Sequence, residues 1–146
     1  MEKLRVEIDC HGNKMYYKWD TDELHNPYGP AVEGADGDKE WYLNDKLHRE
    51  DGPAIEGADG DKEWYLNDKL HREDGPAVEY AYGHKEWYVN GKRHREGGPA
   101  VEHADGYKEW YVNGTKLTEE EFNSRHSFCT SKIVEIDGKR YKLEEV

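Results

Sequence analysis

Polar and apolar residues alternate along this chain in short runs, each cut off by a glycine, a proline or an Asn/Asp turn signal. In Lys62-Glu63-Trp64-Tyr65-Leu66 the alternation puts Trp64 and Leu66 on one face and Glu63 and Tyr65 on the other, the period of two of a strand. The run before it, Pro53-Ala54-Ile55-Glu56-Gly57, reads as a short strand. Ala58-Asp59-Gly60-Asp61 is the turn between them, with glycine where a positive φ is wanted. Asn67-Asp68 is a second tight turn, written Asn90-Gly91 and Asn113-Gly114 in later copies. Each Gly-Pro step marks a strand start or an edge, because proline has no N–H to give to a ladder. No stretch inside this region has helical periodicity.

The pattern repeats. Trp41, Trp64, Trp87 and Trp110 are spaced by 23 residues, as are Pro30, Pro53, Pro76 and Pro99, and His25, His48, His71 and His94. The segment GADGDKEWYLNDKLHREDGPA stands at 34–54 and again, unchanged, at 57–77. Self-similarity at such a period dictates a repeat architecture. Residues 12–25 parallel 37–48 with two residues inserted, which makes them a degenerate capping unit with Tyr16 in the tryptophan place. Residues 1–21 therefore form an N-terminal cap, in which Leu4, Val6 and Ile8 alternate, and 22–117 hold four hairpin repeats. In 118–146, Thr118-Glu119-Glu120-Glu121 is a capping box opening a helix of about two turns with Phe122 inward. Ile133–Ile136, an Asp137-Gly138 turn and Tyr141-Lys142-Leu143 then form a closing hairpin, which covers an edge that would otherwise invite pairing. The fold class expected is all-β, an elongated array of antiparallel hairpins.

The unit A-D-G-x-K-E-W-Y-x-N-G-K-x-H-R-x-x-G-P-A resembles the MORN repeat and its variants over residues 12–117, through the D-G turn, the aromatic strand, the N-G-K turn and the following glycine. Proline in place of the second part of the family's G-x-G marks a variant type. The resemblance implies a ribbon of hairpins. The array followed by TEEEF and EIDGKRYKL also resembles small accessory proteins of tailed bacteriophages, which implies a protein that binds and inhibits a host factor, such as a defence component.

Composition sharpens this reading. Leu, Ile, Val and Phe make up roughly 15% of the chain, a level that with high charge suggests disorder. Five Trp and eleven Tyr at fixed spacing argue instead for a thin fold built on aromatic packing. The net charge of −12 disfavours nucleic acid and anionic lipid and suits a basic protein partner. Cys10 and Cys129 stand near opposite ends with no CxxC, and no apolar segment is long enough for a leader or a membrane span. The expected setting is therefore the reducing cytoplasm, that of the host cell for a phage protein, with a terminal disulfide as the alternative.

The recurring His-Arg-Glu-Asp tetrads, 48–51 and 71–74, hold every residue type a hydrolase would use. An active site converges once in a pocket, however, and these recur in successive copies, so they read as structural ladders. The histidines read as turn stabilisers, since metal-ligand spacing is missing. The Asp-Gly-Asp turns lack the rest of a calcium loop. No catalytic residue, metal or cofactor is expected.

Copies differ more informatively than they agree. Of the net charge, −9 falls within residues 22–67, and the unit 91–113 is neutral. Positions 34, 57, 80 and 103 read Gly, Gly, Tyr, His, and positions 38, 61, 84 and 107 read Asp, Asp, His, Tyr. By alternation Tyr80 and Tyr82 share a face that His84, His103 and Tyr107 can join, forming an exposed aromatic cluster of the kind that anchors interfaces. The expected function is a non-enzymatic protein-binding scaffold. Asp36, Asp38, Glu40, Asp59, Asp61 and Glu63 would meet a basic surface, and the aromatic cluster would serve as anchor. Two other classes stay open: an acidic mimic of nucleic acid, and a self-assembling structural array.

Overall fold

The computed structural model describes residues 2–127, 133–136 and 139–142. An eleven-stranded antiparallel sheet runs from Leu4–Ile8 at one edge to Thr115–Leu117 at the other, and each repeat adds two short strands to it. In the second repeat these are Ile55–Glu56 and Lys62–Glu63, with Ile55 opposite Glu63 and Glu56 opposite Lys62. The expected turn joins them. The Gly57 amide donates to Asp61 O at 2.8 Å and the Gly60 amide to Gly57 O at 2.9 Å, with Gly60 at φ +98. Asn67 and Asp68 both take positive φ, 50 and 62, as a type I′ hairpin turn requires.

In the first three repeats the aromatic strand is divided at its tryptophan, where the sequence predicts one continuous strand. Lys62–Glu63 belongs to the long sheet, whereas Tyr65–Leu66 pairs with Lys69–Leu70 in a small ribbon of its own. The backbone of Trp64 explains the division. Its N–H donates to Ala77 O of the next repeat at 2.8 Å, and its carbonyl accepts from the His71 amide at 3.0 Å. One step further, the residue facing Tyr65 is Pro76, which has no N–H, so pairing with the next repeat stops there. In the fourth repeat Lys108–Val112, with no repeat beyond it, runs straight, as does Lys14–Lys18 in the capping unit, which pairs along its whole length with Leu4–Ile8.

Little is buried, and what is buried recurs. Ala31, Ala54, Ala77 and Ala100 are fully enclosed. Each sits between units: the Ala54 amide donates to Glu63 O and Ala54 O accepts from the Trp41 amide, both at 2.8 Å. Over three of the tryptophans lies an arginine, with the guanidinium 4.0 Å from the Trp41 ring for Arg49, 4.0 Å from Trp64 for Arg72 and 3.8 Å from Trp87 for Arg95. The same guanidinium donates to Pro53 O at 3.0 Å and Glu56 Oε1 at 2.8 Å in the case of Arg49. Its carboxylate partner therefore lies seven residues on, within the same repeat.

Tyr16 does replace tryptophan, its amide donating to Ala31 O at 2.8 Å and its carbonyl accepting from His25. Leu4–Ile8 closes that edge but leaves Val6 and Ile8 exposed. At the other end the capping box forms, with Thr118 N to Glu121 Oε2 at 2.9 Å and Glu121 N to Thr118 Oγ1 at 3.2 Å. The helix Glu119–Ser127 lies against strands 108–112 and 115–117, and Phe122 is buried. Ile133–Ile136 and Lys139–Lys142 pair antiparallel with each other. The Asp137-Gly138 turn, Leu143 and Cys129 lie outside the described residues, and Cys10 is exposed and free. Among the described residues no helix is long and apolar enough to cross a membrane.

In two of the Gly-Pro steps, at Gly52 and Gly75, the glycine answers to the arginine clamp. A Cβ on Gly75 would lie 2.8 Å from Arg72 Cζ, whereas one on Gly97 would meet nothing within 4 Å. Gly75→Ala should cost about 1–3 kcal/mol by forcing the guanidinium off its ring, and Gly97→Ala should be close to neutral. Urea denaturation of the two variants beside the parent protein checks the contrast.

Candidate functional site

On the face opposite the tryptophans, each unit builds a rung from a glutamate and a tyrosine two residues apart. Tyr42 donates to Glu40 at 2.9 Å, Tyr65 to Glu63 at 2.8 Å, Tyr88 to Glu86 at 2.8 Å and Tyr111 to Glu109 at 2.7 Å. Burial first, and the glutamate acceptor second, push the Tyr42 and Tyr65 phenols well above their ordinary range. Glu40 and Glu63, expected to meet a partner, are thus half-buried acceptors within the fold.

The four turn aspartates divide into two kinds. Asp38 Oδ1 accepts from the Ala58 amide and Asp61 Oδ1 from the Ala81 amide, both at 2.7 Å, so each latches its turn to that of the next unit. Asp36 and Asp59 only close their own turns, accepting from Asp38 N at 3.2 Å and Asp61 N at 3.1 Å, and stay exposed. Together these four line a shallow groove of about 450 Å³ over Ile55, with Glu63 at one side.

The predicted aromatic cluster is present. Tyr80 and Tyr82 stack at 5.3 Å with planes 17° apart, and Tyr80 meets His84 at 5.4 Å. His84 meets His103 edge-on at 4.6 Å, and His103 meets Tyr107 at 5.4 Å. The rings form a continuous row across units three and four: Tyr80 and His103 stand in the places of Gly34 and Gly57, Tyr82 in that of Asp36 and Asp59, and His84 and Tyr107 in that of Asp38 and Asp61. The members differ in access. Tyr82 is 68% and Tyr107 56% exposed, Tyr80 and His103 are half-buried, and His84 is buried.

His84 leads into a hub that the sequence did not reveal. Its Nε2 lies 2.9 Å from Glu86 Oε1, while Glu86 also accepts from Tyr88 and from Arg93 Nε at 2.9 Å. Burial opposes the Glu86 charge, but His84, Tyr88 and Arg93 more than offset it and hold the carboxyl below its usual range. The signal was available: Arg93 stands where earlier units have Leu47 and Leu70, nine residues after the position where His84 replaces aspartate. Asp61, Glu63 and Glu86 all lie near enough to raise the Tyr80 phenol, after burial. The exposed rings thus border an anionic surround.

The repeated histidines hold turns. His25, His48, His71 and His94 each accept at Nδ1 from the backbone amide of the turn asparagine nineteen residues on, at 3.0–3.3 Å. No cluster of three or more His, Cys, Asp or Glu placed to hold a metal occurs among the described residues. No family model matches the chain, and no curated protein matches it.

Two outcomes follow. Asp61→Ala should lose about 0.5–1.5 kcal/mol with the latch to Ala81, while Asp59→Asn should keep its turn and its stability, as measured by urea denaturation. The tyrosine rungs should make the protein alkali-sensitive. A raised folded-state pKa contributes stability that is complete below about pH 10 and is lost as the pH climbs through the folded value. Urea midpoints taken between about pH 8 and 11 should fall in the upper part of that range, and fall less in Tyr42→Phe/Tyr65→Phe.

Proposed function

We propose that this protein is a non-enzymatic repeat scaffold that docks a basic surface of another protein on its glutamate–tyrosine face. The observation that carries the reading is the row Tyr82–Tyr80–His84–His103–Tyr107, whose two outermost rings are mostly exposed on an otherwise charged ribbon. Aromatic side chains anchor interfaces because they bury a large area at a small entropy cost. Carboxylates beside the rings, and the free Asp36 and Asp59 further along the same face, favour a cationic partner and speed its encounter. A nucleic-acid mimic has less support, because Asp38, Glu40, Asp61 and Glu63 are engaged within the fold and cannot stand in for a regular row of phosphates. The resemblance to phage accessory proteins supports a role in binding and inhibiting a host factor in the host cytoplasm.

Affinity capture with the tagged protein from host lysate tests this mapping. A partner held by the parent should be lost or weakened at least about tenfold with Tyr82→Ala/Tyr107→Ala. It should be weakened in a salt-dependent way with Asp36→Lys/Asp59→Lys. Retention undiminished in both variants would exclude this face.

A further inference from the structure

The opposite, tryptophan face carries a second feature that the docking reading does not use. Between successive units lies the same open groove, three times over, with volumes of about 550, 600 and 430 Å³. The floor of the middle one is Trp64 and Leu66, and its rim includes Glu50 and Glu73. None of the indole N–H groups of Trp41, Trp64 and Trp87 has a protein acceptor among the described residues, and none is enclosed. Each groove thus offers an apolar floor and an unused donor.

Its rim offers unused charge. The arginine in each groove is already held, Arg72 by Asp74 at 2.8 Å and by Glu79 at 3.0 Å. Glu50, Glu73 and Glu96, by contrast, have side chains 80–86% exposed, and the nearest basic atom is a histidine Nε2 at 3.7–3.8 Å. That leaves one exposed carboxylate in each of the last three units, in a row.

The spacing of the row selects its occupant. Each unit contributes two strands to the long sheet. At about 4.8 Å per strand, equivalent atoms of successive units stand about 9.6 Å apart along the ribbon. A polyproline-II chain advances about 9.3 Å in three residues, places every third side chain on the same side and leaves its carbonyls unpaired. An extended strand repeats at about 6.8 Å and falls out of step with such a row. Two helical turns rise about 10.8 Å and drift by more than an ångström per unit.

We propose that the row of grooves on the tryptophan face docks a basic polyproline-II segment with a cation at every third residue. Its rings and stems pack on Trp and Leu, the indole N–H groups donate to its carbonyls, and its cations meet Glu50, Glu73 and Glu96 in turn.

The test uses the intact protein and two labelled peptides of equal composition, one of repeating Pro-Pro-Arg triplets and one with its arginines gathered in a block. Fluorescence anisotropy should show the triplet peptide binding at least about tenfold more tightly. The tryptophan indole resonances should move on binding. Glu50→Gln/Glu73→Gln/Glu96→Gln touches only exposed side chains, so it should fold as the parent does, by circular dichroism, and lose about tenfold in affinity for the triplet peptide. Equal binding of the two peptides, unchanged binding by the triple variant, or no binding of either peptide would overturn the proposal. Tyr82→Ala/Tyr107→Ala should leave peptide binding untouched, so failure on one face is distinguishable from failure on the other.

Discussion

A guanidinium stacked on an indole is the contact on which each unit depends, and Arg49, Arg72 and Arg95 make it with Trp41, Trp64 and Trp87. The geometry is worth about 0.5–2 kcal/mol as a cation–π pair, but its larger effect is to fix several groups at once. Arg72 covers its ring, satisfies the Pro76 carbonyl and neutralises Glu79 and Asp74, while its own amide donates to Tyr88 O. The glycine before the proline must be small because the guanidinium occupies the space a side chain would need. The proline stops the ladder where the strand has to turn away. Tryptophan, arginine, glycine and proline thus answer one packing requirement from four positions.

Where the requirement lapses, the residues change. At the first unit Asn26 replaces arginine and keeps the bond to the proline carbonyl, Nδ2 to Pro30 O at 2.8 Å, and the amide bond to Tyr42 O at 3.1 Å. At the last, Leu117 stands opposite Trp110 in the place of the turn-holding histidine, and is buried, because no further turn needs an acceptor. Each unit contacts its neighbours alone, so stability builds up unit by unit along the ribbon. This accounts for a segment present twice without change. A unit whose partners are copies of itself meets the same surroundings wherever it is inserted.

The hairpins, both turn types, the buried phenylalanine and the helix cap could be read from the sequence because each rests on local chemistry: alternation, a positive φ, or a side chain reaching its own backbone. The aromatic row was also legible, because Tyr80, Tyr82 and His84 share a face by alternation and His103 and Tyr107 are one period on. The division of the strand at Trp64 was not, since it depends on hydrogen bonds to Ala77 and His71 that one unit viewed alone does not contain. The arginine clamp was missed for the same reason. Arg49 is eight residues from Trp41, and only the return of the chain after the second turn brings them together.

Charge shows most clearly what composition conceals. The carboxylates of the first two units look alike in sequence and give the chain an acidic pole. In the structure Glu40 and Glu63 accept hydrogen bonds from phenols, Asp38 and Asp61 hold the next turn, and Glu56 is tied to Arg49. Those groups serve the ribbon. The charge left for a partner is sparser and ordered: Asp36 and Asp59 on one face, and Glu50, Glu73 and Glu96 on the other. A repeat that settles its internal hydrogen bonds identically in every copy also spaces its unused groups identically. Periodicity in a ligand can therefore be recognised by a scaffold of this kind without any single strong contact.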